Sequence, residues 1–234
     1  MSAVDLNLVF CVEATSRTQA YSQDFVDYVT SAARIIVEDL KRDILTAESN
    51  IKFFLILFRN CKCDGEKSLE LRGPFHFPEE ESHFQEALQG IEYIGGGRNV
   101  DPRCSGLEAI WCAMNILQNY KQDSLEFQHR IREGIIVLAK SKTSPIGNNM
   151  ENSCPIKTPC SFDILANSWN DEIQNKSVGD NGYWKMILVT PDESSWHRIS
   201  EEWYNVYREK FFDDRGGLFE YDFKFLADMI GARS

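Results

Sequence analysis

The chain has 234 residues, 43% of them hydrophobic and 12% aromatic, enough to build a sizeable core in one large α/β domain. Its 36 Asp and Glu against 25 Lys and Arg give a net charge of -11, which excludes a general phosphate-binding surface, because nonspecific nucleic-acid affinity comes from clustered cations releasing counterions. No apolar run approaches the roughly 20 residues of a membrane span, and the polar start Met1-Ser-Ala-Val-Asp5 has no signal-peptide core, so a cytosolic or nuclear protein is expected.

Strand and helix signals alternate along the chain. Val4 to Val12 is almost unbroken apolar, as in a central strand covered on both faces. Phe25, Val29, Ala32, Ala33, Ile36, Val37 and Leu40 recur at three- and four-residue spacing and predict a helix from about Ala20 to Lys41. Ile51 to Phe58 is a second buried strand, and Leu69 to Phe77 is expected beside it at the sheet edge. Pro78-Glu-Glu-Glu81 places acids at the positive end of a helix running towards Leu88.

Gly95-Gly-Gly97 breaks the chain sharply. Asp101-Pro102 then predicts a helix start, an acid cap followed by proline at the first helical position, with Leu107, Ile110, Trp111, Met114 and Leu117 as the buried stripe. Gly134 to Ala139 is a third core strand, and Lys140 to Pro159, rich in Ser, Asn, Thr and Pro, reads as a long surface loop. A weaker helix covers about Phe162 to Gln174, and Tyr183 to Val189 is a fourth strand. Ser194 to Phe212 is expected as one helix, with Trp196, Ile199, Trp203, Val206 and Tyr207 on one side, and Phe219 to Ile230 as a short capping element. Neither a repeat nor a dividing linker interrupts this pattern. The expectation is a single domain over residues 1–234, with its core at about 4–212 and a cap at 213–234. Its fold class is three-layer α/β/α, doubly wound, with a mostly parallel sheet and one antiparallel edge strand.

Seven cysteines make an odd count with no framework-like spacing. Cys11 and Cys112 fall inside apolar elements, where cysteine behaves as a small hydrophobe. Cys61-Lys-Cys63 and Cys154 with Cys160 are loop cysteines. Free thiols are the main expectation, with zinc and redox roles as alternatives, the zinc reading drawing Cys61 and Cys63 towards His76 and His83.

The functional crevice of such a sheet lies beyond the carboxyl ends of its central strands, here at Glu13–Arg17, Gly95–Asp101 and Lys140–Pro145. An apolar strand running into Glu13, Thr15 and Arg17 resembles the first metal loop of a von Willebrand factor A domain, whose pattern there is Asp-x-Ser-x-Ser. The resemblance covers Val4 to about Phe212. It implies a divalent-ion site built from three loops, and the residues that match those positions serve it poorly. Glu13 stands for the first Asp, Thr15 is an acceptable hydroxyl, and Arg17 replaces the last Ser. Asn99 and Asp101 are the second-loop oxygens, with Arg98 beside them, and Lys140 stands where the third-loop Asp belongs. Mg²⁺ demands near-octahedral oxygen ligation, and two cations aimed at the site would repel it. No metal and no cofactor are expected; Glu13 is expected to pair with Lys140 or Arg17 instead.

Val9-Phe-Cys-Val-Glu-Ala-Thr15, Ile91-Glu-Tyr-Ile-Gly-Gly-Gly97 and Gly106-Leu-Glu-Ala-Ile-Trp-Cys-Ala-Met-Asn-Ile-Leu117 are similar, more closely, to the N-terminal von Willebrand A domain of the Mediator subunit 25 family. His129 to Leu138 and Met186 to Pro191 extend the likeness, while the stretches Cys61–Ser68 and Ile146–Pro159 are this chain's own. The resemblance implies a non-catalytic nuclear scaffold docking into a transcription coactivator complex, with protein subunits as partners and no nucleic acid or membrane bound directly. A Ku-like domain of a repair complex and a metal-dependent ligand binder of the integrin or copine kind are the alternatives. An enzyme is not expected, since no nucleophile elbow, Walker loop, dinucleotide fingerprint or His-Glu-x-x-His occurs. Trp196 and Tyr204 are the candidate partner anchors, because aromatic side chains dominate interfaces.

Overall fold

A computed structural model describes residues 4–43, 50–97, 101–123, 130–147, 154–176 and 184–210. Strand β1, Val4–Glu13, forms the axis of the sheet. Its side chains alternate between two apolar layers. Leu6, Leu8, Phe10 and Val12 face one, with the residues of α1 (Ser22–Asp43) and α3 (Glu81–Gln89); Val9 and Cys11 face the other, with α4 (Gly106–Asp123), α5 (Phe162–Lys176) and α6 (Ser194–Glu202). A strand buried on both faces needs apolar residues at every position, which is what makes the run from Leu8 to Val12 unbroken.

The six strands stand in the order β3-β2-β1-β4-β5-β6. Strands β2 (Asn50–Phe58), β4 (Arg130–Leu138), β5 (Trp184–Thr190) and β6 (Val206–Lys210) run parallel to β1, and β3 (Leu69–Phe77) runs antiparallel to β2 at one edge. This is the expected mostly parallel sheet between helical layers, of von Willebrand A and Rossmann type. The chain switches sides of β1 between β3 and β4, so the loops after β1, β2 and β4 converge at one end of the sheet. Among the described residues, no helix is long and apolar enough to cross a membrane.

Phe10, Phe53, Phe77 and Phe84 pack ring against ring in the layer under α1 and α3, with Phe53 and Phe77 centroids 4.4 Å apart and Phe10 edge-on to Phe53 at 5.7 Å. The opposite layer holds Trp169, Trp184 and Trp196, all fully buried. Each such ring contributes about 1.5–3 kcal/mol by leaving water.

Two elements differ from the expectation. Helix α4 begins at Gly106 rather than at Asp101-Pro102. Residues 101–105 instead form an extended strap held to the loop after β4: the Cys104 N–H donates to the Lys142 carbonyl at 2.8 Å and the Ser144 N–H to the Cys104 carbonyl at 2.7 Å. The strap outcompetes the helix because those groups would otherwise be buried without partners. Gly106 is where the helix can turn in, since a Cβ there would meet the Trp196 ring at 2.3 Å.

The predicted long helix from Ser194 to Phe212 divides. Helix α6 ends at Glu202, Trp203 is extended, and Asn205 adopts a left-handed φ of 54°. The Asn205 carbonyl accepts the Met186 N–H and its side-chain amide donates to the Trp184 carbonyl, which starts β6 beside β5. Val206 and Tyr207, assigned to the helix face, are strand residues, as suits their branched and aromatic side chains. The cap expected at Phe219–Ile230, together with Arg98 and Asn99, lies outside the described residues.

Candidate functional site

Glu13 is the last residue of β1 and has no solvent exposure. Its carboxylate accepts four hydrogen bonds: from the N–H groups of Lys140 and Ser141 at 2.8 and 2.9 Å, from the Ser141 hydroxyl at 2.6 Å, and from the Thr15 hydroxyl at 2.9 Å. Thr18 closes the first loop by donating its hydroxyl to the carbonyls of Glu13 and Thr15. The expected ion pair of Glu13 with Lys140 or Arg17 is thus replaced. Lys140 contributes its main-chain N–H, while its ammonium lies 3.4 Å from the centroid of the Tyr21 ring. Arg17 reaches across to donate to the Pro102 carbonyl. A cation beside an aromatic face and a guanidinium on a carbonyl are both favourable contacts.

In the second loop, Asp101 is 5% exposed and grips Arg103, accepting from Nε at 2.8 Å and from Nη2 at 2.9 Å. Those bonds from Arg103 hold the Asp101 carboxyl below its usual range. Gly96, with φ of 82°, passes so close to the first loop that a Cβ would meet that of Thr15 at 2.6 Å. Asn99 lies outside the described residues.

A divalent ion does not suit this donor set. One Glu13 oxygen already takes two N–H donors and the other two O–H donors, the Asp101 carboxylate is paired, and the loop after β4 offers Lys140. An ion would have to displace all four donors to Glu13, and each bond to a charged group is worth about 1.5–3 kcal/mol. Among the described residues no three His, Cys, Asp or Glu side chains gather as metal ligands, and Cys61 and Cys63 are not grouped with His76 and His83.

Two residues that the sequence did not single out organise the rim. Arg59, 2% exposed, follows β2 and donates to the carbonyls of Ala14, Lys67 and Glu92 at 3.1, 2.7 and 2.8 Å. Burial lowers its pKa from the ordinary arginine value, against the pull of Glu70. Asn60 caps the short helix α2 (Cys61–Asp64) and donates to the Asp101 and Arg103 carbonyls. Asp64 in turn accepts the Gly96 N–H at 2.9 Å. The only outward signal was a cation and an amide placed directly after an apolar strand.

Of the candidate anchors, Trp196 is fully buried and donates its indole N–H to the Ser141 carbonyl at 2.9 Å. It supports the third loop from beneath and is not a surface anchor. Tyr204 is 53% exposed at the joint between α6 and β6, its backbone fixed by Trp169 and Asn170.

No family model matches the chain and no curated protein does. Among solved structures, human COPII-coat protein Sec24c aligns over 98% of this chain and 32% of its own, at 9% identity and a TM-score of 0.51. Proximal thread matrix protein 1 from the mussel byssus aligns over 98% of this chain and 47% of its own, with 9% identity and a TM-score of 0.47. The same protein with a zinc-occupied MIDAS motif gives 11% identity, 97% and 45% coverage, and 0.48. The chain spans about a third to a half of the length of these structures. The likeness to Sec24c carries the fold alone, and nothing in these comparisons points to Mediator subunit 25.

Proposed function

We propose that the chain is a non-catalytic protein-interaction module, a von Willebrand A-like scaffold whose strand-end loops are locked by hydrogen bonds where relatives of the fold hold an ion. The observation that carries the reading is the Glu13 carboxylate with all four acceptor positions taken by Lys140, Ser141 and Thr15. A site so filled has neither an open coordination position nor a free base, so its rim is left to recognise a folded partner. The finer reading, from the sequence motifs, is a nuclear subunit that docks into a transcription coactivator assembly as the Mediator subunit 25 domain does. Protein subunits are its partners, and no enzymatic turnover is assigned to it.

The test has two arms. Crosslinking mass spectrometry on the tagged chain in its own cells is expected to report stable protein neighbours, with contacts on the rim loops or around Tyr204. Calorimetric titration with Mg²⁺ and Mn²⁺ is expected to give no binding at micromolar ion. Tight binding abolished by Glu13→Ala would overturn the reading and restore an ion-dependent adhesion module.

A further inference from the structure

Cys61, first residue of α2, and Cys154, in the long loop after β4, lie 93 positions apart in sequence, and their sulfurs stand 2.8 Å apart. Cys61 is fully buried and Cys154 half-buried, whereas Cys63 and Cys160 are exposed. The corner is a built one. The Cys61 N–H donates to the Ser105 hydroxyl at 2.8 Å, and the Trp111 indole N–H holds the Cys154 loop to α4 by donating to the Lys157 carbonyl at 2.9 Å. Beside the pair lies Glu108, with no solvent exposure and neither carboxyl oxygen partnered.

We propose that Cys61 and Cys154 form a redox-active dithiol, which a hydroperoxide converts to a disulfide that staples the β2–α2 corner to the long loop. The geometry carries the step, because sulfurs already in contact lose little further freedom on bonding. Hydrogen bonds from Cys154, Ser105 and Ser68 lower the Cys61 thiol to about 7, against the opposing effect of burial, while the bond to Cys61 and burial push the Cys154 thiol up. The thiolate is the nucleophile in such chemistry. Cys61, the lowered member, releases its proton to water and attacks the peroxide oxygen as the thiolate. The O–O bond breaks, Cys61 becomes a sulfenic acid, and the departing oxyanion takes a proton from water. Cys154 then attacks the Cys61 sulfur while its own proton passes to the leaving hydroxide; the S–O bond breaks and water departs. The two thiols together lose two electrons and two protons, and the peroxide yields an alcohol (or water) and a water.

The experiment uses the full chain, freed of metal by a chelator, reduced, exposed to hydrogen peroxide, quenched with iodoacetamide and mapped by non-reducing peptide mass spectrometry. The expected result is a Cys61–Cys154 linkage forming at least about ten times faster than any pairing of Cys63 or Cys160, and reversed by dithiothreitol. Cys154→Ser, at a half-buried position, keeps the fold and loses the linkage. Cys63→Ser and Cys160→Ser leave it unchanged. Oxidation of the exposed Cys63 or Cys160 ahead of the pair would overturn the proposal. So would a zinc ion that copurifies stoichiometrically and protects both sulfurs, for then the pair is a metal ligand.

Discussion

Glu13 and Glu108 are both wholly inaccessible to solvent, and their surroundings are opposite. Glu13 has four donors, so replacing it by Gln leaves an amide oxygen for the two main-chain N–H groups, removes the charge, and sets an NH₂ against the Thr15 and Ser141 hydroxyls, which must turn to accept. Glu13→Gln is expected to lower stability by about 1–3 kcal/mol, read as a fall in the urea midpoint with the m-value unchanged. Glu108 has no partner, and burial first, then the Cys61 charge, pushes its carboxyl up to about 8. A raised carboxyl keeps its full contribution only below the unfolded value of 4.5; above it the unfolded chain releases the proton first. Stability is therefore expected to fall by about 1.4 kcal/mol per pH unit between pH 5 and 7. Glu108→Gln removes that slope, and an identical slope in the variant would refute the assignment. Cys61, lowered to about 7, acts with the opposite sign only above that pH, which is why the window stops there. Glu13, Thr15 and Lys140 were legible from sequence as strand-end residues. Arg59, Asn60 and Glu108 were not, since their roles rest on carbonyls and thiols distant in sequence, which leave no local period.

At the scale of elements, the strands and helices were read where a single period governed them, as in β1, α1, β2 and β5. The reading failed where tertiary pairing overrode local preference. Trp196, Ile199 and Trp203 keep the helical spacing to the end of α6, and nothing in that pattern marks the left-handed turn at Asn205 that starts β6. The Asp101-Pro102 start was a sound local cue, defeated by the bridge from Cys104 to the loop after β4. Trp196 links these parts: it lies against Gly106 and holds the Ser141 carbonyl. Trp196→Ala is expected to cost about 3–5 kcal/mol. Trp196→Phe keeps most of the packing and should selectively speed amide exchange at Lys140 and Ser141, with β1 amides unaffected. Uniform acceleration across the sheet would show that the indole supports the core and not the loop.

For the whole molecule, Tyr204 is the exposed aromatic that the docking reading predicts for a partner. Its backbone, not its ring, is held by Trp169 and Asn170. Tyr204→Ala should leave the melting temperature nearly unchanged and weaken partner binding by about tenfold or more, the loss expected of an aromatic hot spot. A variant with unaltered affinity would move the interface elsewhere on the rim. Both outer strands carry their own protection against joining a foreign sheet. Strand β3 holds Gly73 and Pro74 in its middle, and β6 reads Val-Tyr-Arg-Glu-Lys.

The register of β1 has a consequence for how the protein is made. Val4 pairs on one side with β4 from Arg130 onward, so this central strand of the sheet is synthesised long before its second neighbour. At a translation rate of roughly 5–20 residues per second, that interval lasts roughly 6–25 seconds. Throughout it, Leu-Asn-Leu-Val-Phe-Cys-Val is a nascent segment with one flank of main-chain amides still unclaimed, and it is there that a ribosome-bound chaperone would find its client.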